Sequence, residues 1–271
     1  NKDDFTLSGN LDLKFLKFLK KKTKNKYCII DNKKNIQYYN MNTFKKKNKH
    51  LLNKKIISIS PGGLKGFYLM GVINFIKQHY NLSNYIFTGA SAGAWSSLFA
   101  SYKYDSSDLA SKILNLDFDK VSSIYEIQLL FKNQFIKLFN DNDFHLDRIF
   151  IGVTVLQGLK VTTTIFYNFK SLEDAVNCCI ASSHIPFLTG GLIYKYNNEI
   201  SFDGGFSNYP YLDLNNTVLK INPLIWDTTN KSSSVINYET LTEEISAEKF
   251  KEIFLKGYND TLNNKSILDS A

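Results

Sequence analysis

Residues 56–102 read IISISPGGLKGFYLMGVINFIKQHYNLSNYIFTGASAGAWSSLFASY, and the order of elements within them decides the fold. The run from Ile56 to Ser60 is short and apolar and stops at Pro61-Gly62-Gly63, the pattern of a buried strand ending in a turn. From Gly66 to Gln78 the apolar residues Tyr68, Leu69, Val72, Ile73 and Ile76 recur at helical spacing. The run from Tyr85 to Thr88 is a second buried strand, closed by Gly89, and a helix of small residues runs from Ala92 to Tyr102. Strand, Gly-rich turn, helix, strand, tight turn, helix is the order of parallel strands with crossover helices, so an α/β fold is expected.

Working outward, residues 103–147 read as mainly helical. Residues 148–155 and 161–169 read as strands on either side of Gln157-Gly158. Ser171 and Asp174 form a Ser-x-x-Asp variant of the helix capping box, opening a helix that runs towards Ser182 and stops before Pro186. Residues 191–196 and 218–221 read as strands, Asp203-Gly204-Gly205 as a turn, and residues 241–258 as a terminal amphipathic helix.

A chain of 271 residues with 44% hydrophobic residues can bury one sizeable core and is not a disordered chain. Its three cysteines, Cys28, Cys178 and Cys179, make a poor disulfide framework and fit a reducing compartment. No His/Cys cluster suggests zinc, and no EF-hand-like run suggests calcium, so no metal or cofactor is expected. The first residues do not read as a secretory signal. The charge-free stretch Leu82 to Tyr102 contains Gly and Ser and fits a buried strand–turn–helix better than a membrane span, so a cytoplasmic or peripheral membrane location is expected.

The charge is uneven. Residues 1–55 hold 16 Lys and four acidic residues, whereas the whole chain has a net charge of +8, so the remainder is acidic overall. Leu11, Phe15, Phe18 and Leu19 share one face of a short basic helix, a pattern that can lie on an anionic membrane or pack as an ordinary surface helix. No nucleic-acid motif accompanies the lysines, and no nucleic-acid partner is expected.

Three motifs carry chemistry. Gly89-Ala90-Ser91-Ala92-Gly93 has the small residues that a serine needs on a sharp strand-to-helix turn. The helix after Ser91 points its positive dipole end at charge developing there. Pro61-Gly62-Gly63-Leu64-Lys65-Gly66 is a Gly-rich turn whose exposed backbone N–H groups could hold an oxyanion, or a phosphate, though the Walker pattern is missing. Asp203-Gly204-Gly205 offers a carboxylate on a turn, which taken alone also reads as a hairpin turn.

In this order and spacing the three motifs resemble the patatin-like phospholipases. Ala181-Ser182-Ser183-His184-Ile185-Pro186 resembles the family's small-residue stretch, and the runs 60–71 and 202–208 resemble its adiponutrin-type branch. The resemblance implies a three-layer sandwich with a central, mostly parallel sheet and a nucleophile elbow, in a catalytic domain at 55–223. A basic segment at 1–54 precedes it, and a C-terminal extension with a helix at 224–271 follows it. It implies a Ser–Asp dyad: Ser91 as nucleophile, Asp203 as base, Gly89, Gly93, Gly204 and Gly205 as motif glycines. The oxyanion loop would comprise Gly62, Gly63, Leu64, Lys65 and Gly66. Pro61 stands where the family usually has glycine and has no N–H, so Gly62, Gly63 or Leu64 must donate. The implied substrate is a phospholipid or other glycerolipid, hydrolysed at a carboxylic ester. The competing arrangement is a Ser–His–Asp triad, for which His184 with Asp147 are the candidates. A catalytically inactive membrane-binding or nucleic-acid-binding protein is the alternative outside enzymology.

Overall fold

Nine strands form one mixed sheet in the computed structural model, which describes residues 27–158, 160–206, 212, 214, 216–227 and 245–270. The strands are β1 (Tyr27–Asp31), β2 (Ile36–Tyr38), β3 (Lys55–Ile59), β4 (Tyr85–Gly89), β5 (Ile149–Gln157), β6 (Lys160–Tyr167), β7 (Tyr194–Tyr196), β8 (Glu199–Phe202) and β9 (Thr217–Ile221). The helices are α1 (Met41–Lys47), α2 (Gly66–His79), α3 (Ala92–Ala100), α4 (Ser106–Leu114), α5 (Ile124–Leu138), α6 (Leu172–Ser182), α7 (Ala247–Asn263) and α8 (Lys265–Asp269).

The path across the sheet is β2-β1-β6-β5-β4-β3-β9, with β8 paired to β5 and β7 to β8. The middle of it, β5-β4-β3-β9, is parallel, as the opening stretch of sequence requires. β5 and β6 are antiparallel from Phe150↔Tyr167 to Gln157↔Lys160, so they form the hairpin expected around Gln157-Gly158.

Side chains alternate across the sheet, and the two faces are buried by different parts of the chain. Ile57, Ile59, Phe87 and Ile151 join the larger core cluster with residues of α2, α3, α5, α6 and α7. Ile56, Ile86 and Phe150 join a smaller cluster with Ile29, Tyr38, Phe44, Leu51, Leu212 and Leu214. Helices thus lie over the sheet in the layered α/β arrangement expected.

The lysine-rich N-terminal region contributes more than charge. Its residues 27–38 add β1 and β2 to the sheet beyond β6, with β1 parallel to β6. Phe44 of α1 is fully buried and meets Tyr38, Phe150 and Tyr167 edge-to-face. The sheet therefore extends across residue 54. The basic helix read around Leu11–Leu19 lies outside the described residues.

Some boundaries differ from the sequence reading. The terminal helix starts at Ala247, because the Ser246 hydroxyl accepts the Lys249 N–H as N-cap, and it runs on to Asn263. A Cβ on Gly71 of α2 would sit 2.0 Å from the Phe254 carbonyl oxygen, and one on Gly257 would sit 2.2 Å from that of Tyr68, so α2 and α7 pack backbone to backbone. Residues 103–147 hold α4 and α5, capped by Asp105 and Ser123, joined by 3-10 turns and loops. The strand read at 191–196 shrinks to Tyr194–Tyr196, since only these residues pair with β8 and residues 191–193 are exposed loop.

Candidate active site

β4 ends at Gly89 and α3 begins at Ala92, so Ser91 sits at the bend with φ 54° and ψ −126°. Left-handed φ is costly for a residue with a Cβ and persists only where the surroundings enforce it. Here they do. The Ser91 N–H donates to Ser182 Oγ at 2.8 Å, and that hydroxyl donates to the Gly152 carbonyl of β5 at 2.6 Å. A Cβ on Gly89 would lie 2.3 Å from the Gly93 oxygen, and one on Gly93 would lie 2.3 Å from the Ile59 oxygen. The motif needs glycine because the bend folds β4 and α3 onto each other and onto β3.

Asp203 arrives from the other side, directly after β8. Its N–H donates to the His184 carbonyl at 2.7 Å, and its carbonyl accepts the Thr154 hydroxyl at 2.8 Å. A Cβ on Gly204 would lie 2.1 Å from the Gly152 oxygen, so the Asp-Gly turn rests on the same β5 residue that anchors Ser182. The carboxylate accepts the Gly205 N–H at 2.7 Å and lines the same cavity as Ser91. Asp203 is 1% exposed, and burial pushes its carboxyl up to about 7, with Ser91 and the Gly205 N–H pulling it partly back.

The Gly-rich loop closes the third side. Gly63 has φ 55°, a conformation that glycine adopts without cost. The Lys65 N–H donates to the Gly62 oxygen at 3.1 Å, and the Gly66 N–H turns back to the Gly63 and Leu64 oxygens. These two donors are thus used within the turn. Gly63, Leu64 and Gly66 line a cavity together with Ser91 and Asp203. The rest of its wall is largely apolar, with Phe67, Met70, Trp95, Ile127 and Phe131. Gln128, Ser183 and Thr189 are polar exceptions; Gln128 Nε2 reaches the Ser183 carbonyl at 3.5 Å, and its Oε1 has no partner among the described residues.

Three segments far apart in sequence therefore converge on one serine in an apolar cavity. A sequence model of the patatin-like phospholipases matches residues 57–214, more than half of the chain. The chain belongs to the patatin-like phospholipase family. Its members are lipid hydrolases, and lipids are accordingly the substrate class. The match is to the family as a whole and does not single out the adiponutrin-type branch. A search of curated proteins found no match to the chain.

The histidines lie elsewhere in this family member. The His184 ring is buried against Phe202 and Tyr194 and hydrogen-bonds the Leu192 backbone, and burial lowers its pKa. His145 is half-buried beside Arg148, with its pKa lowered first by burial and then by that cation. Asp147 is exposed in the same 3-10 turn, away from the cavity wall. Among the described residues no cluster of His, Cys, Asp or Glu could hold a metal ion, and no helix is long and apolar enough to cross a membrane.

Sequence reasoning did not give Ser182, Gly152 or Thr154 a role. Gly152 carried a usable signal, since an isolated glycine inside an apolar strand marks close backbone approach. Ser182 and Thr154 carried none, because their partners are remote in sequence.

Proposed function

We propose that the chain is a phospholipase A-type acyl hydrolase working through Ser91 and Asp203. The observation that carries this reading is that Ser91 and a carboxylate buried to 1% exposure line one largely apolar cavity. Asp203 takes the hydroxyl proton as Ser91 Oγ attacks the acyl carbonyl carbon. The carbonyl oxygen becomes an oxyanion, held by N–H groups of Gly62, Gly63 and Leu64, and the alcohol leaves with the proton returned by Asp203. Water then attacks the acyl-enzyme, Asp203 again taking a proton, and the carboxylic acid and free Ser91 are released. A carboxyl with a pKa of about 7 suits both directions of transfer near neutrality.

In this reading residues 55–223 carry the chemistry. Residues 27–54 complete the sheet edge and its second face, and 224–271 supply α7 behind α2. The substrate is a glycerophospholipid ester, whose acyl chain the apolar wall accepts. The basic segment at 1–26 would supplement binding to anionic membranes.

The test is incubation with defined glycerophospholipids and mass-spectrometric identification of the products. Ser91→Ala and Asp203→Asn are each expected to lower turnover by at least ~10³-fold while melting cooperatively, since the pair acts as a unit. Substantial turnover by Asp203→Asn alongside an inactive His184→Ala would assign the base to the imidazole instead.

A further inference from the structure

The loop between α6 and β7 is built on two opposed principles. Its inner side is clamped and belongs to the cavity. The Ile185 N–H donates to Thr189 Oγ1 at 2.7 Å, and that hydroxyl donates to the Ser183 carbonyl at 3.0 Å. Ile185 and Thr189 line the cavity next to Ser91. The outer side is apolar and open to solvent. Phe187 is 64% exposed, Leu192 54% and Ile193 50%. The exposed Tyr125 borders the same loop, its ring 3.3 Å from where a Cβ on Gly190 would sit, and the neighbouring Ile124 lines the cavity.

Exposure of three large apolar residues within seven positions is unfavourable in water. Phe187 adds strain, with φ 64° in a region that bulky residues avoid. No Asp, Glu, Lys or Arg occurs from Ala175 to Tyr194, so the loop can enter an apolar medium without carrying a charge with it. Ser91 itself is 8% exposed, so a lipid ester has to enter the cavity to reach it.

We propose that Phe187, Leu192 and Ile193, with Tyr125 at their side, form a docking surface that inserts into the outer layer of a lipid bilayer and sets the cavity mouth on it. The partner is a lipid surface because the family's substrates are lipids and because this rim is continuous with the cavity wall. An acyl chain then passes from bilayer to apolar wall without crossing water. The inference rests on the lipid-ester chemistry proposed above. It places the apolar contact on this loop, separate from any electrostatic contact made by the lysine-rich segment.

The experiment measures partitioning of the full chain onto phosphatidylcholine vesicles by flotation at high salt, in a Ser91→Ala background so that hydrolysis cannot alter the vesicles. Leu192→Ser/Ile193→Ser is expected to lower the partition coefficient by about tenfold or more, the scale of exposing again two half-buried aliphatic side chains. The ratio of vesicle to soluble short-chain ester turnover in the Ser91 protein should fall with it. If the double variant melts early, Phe187→Gly is the second variant, because it removes the ring and relieves the backbone. Unchanged partitioning by a variant with a native melt overturns the proposal, as does failure of the parent chain to bind these vesicles. Conversion of a dimer to a monomer with partitioning unaltered also overturns it, in favour of a second copy as occupant. Loop-dependent partitioning in a protein that hydrolyses no ester supports the docking surface and sinks the enzymatic reading alone.

Discussion

Ser91 and Phe187 share a positive φ and little else. Their φ angles are 54° and 64°, both in the region that side-chain-bearing residues avoid. Ser91 is held there by its surroundings: Ser182 on its N–H, and Gly89 and Gly93 folded against neighbouring backbone. Phe187 is held by a clamp beneath it and has solvent around its ring. The difference shows how one local strain serves two ends. In the elbow, packing uses it to aim an oxygen; in the rim loop, it turns an apolar ring outward.

The comparison breaks most sharply at glycine. Gly93→Ala puts a Cβ 2.3 Å from one backbone oxygen and 2.7 Å from another, so a loss of about 3 kcal/mol in urea unfolding is expected, with activity falling in step. Gly191→Ala in the rim loop meets nothing within 4 Å and should change stability by no more than about 0.5 kcal/mol. Equal costs at the two positions would erase the distinction between packed elbow and open rim.

The pH profile sharpens the buried side. As the proposed base, Asp203 has to be ionised to take the serine proton, so kcat/KM should rise with pH and level off above about 7. Initial rates on a soluble ester across this range are the check; a plateau reached already near 4 would place the base elsewhere.

The same carboxyl makes a smaller, opposite prediction for stability. Its folded pKa of about 7 lies above the ordinary 3.8, so the folded state holds the proton more tightly. Its contribution to stability is therefore full below 3.8 and is lost as pH rises to about 7. Asp203→Asn, which never ionises, should melt a few degrees higher than the parent above neutrality, and the difference should shrink in acid. No difference at either end would mean that the charged carboxylate is better solvated than its burial implies.

A modest effect of the opposite sign is expected at the rim. Phe187→Gly removes the left-handed strain and should gain about 1 kcal/mol in stability, while weakening contact with lipid. Destabilisation instead would show that the ring packs against a part of the chain.

Local signals made the central motifs readable. The alternation of short apolar runs with Gly-rich turns in residues 56–102 is written in near neighbours, as are the caps at Ser171 and Ser246. The terminal helix is legible by its pattern but its start is not, because Ser246 decides it by one hydrogen bond. In residues 27–55 the lysines mask the strand–turn–strand of β1 and β2. Their apolar residues are few, and β1 is completed only by pairing with β6, more than 130 positions away.

By itself, then, the sequence determined the parallel α/β core, the family, and the three motifs on which the site is built, since each depends on side chains within a turn or two of one another. The tertiary structure decided what those motifs can do. Ser182 fixes the Ser91 N–H across 91 positions, and Gly152 receives both Ser182 and the Asp203 turn. The Gly-rich loop uses two of its own N–H groups internally. Burial raises the Asp203 carboxyl to about 7. Burial, close approach and the competition for a donor arise only when distant segments share one space, and no window of neighbouring residues contains them.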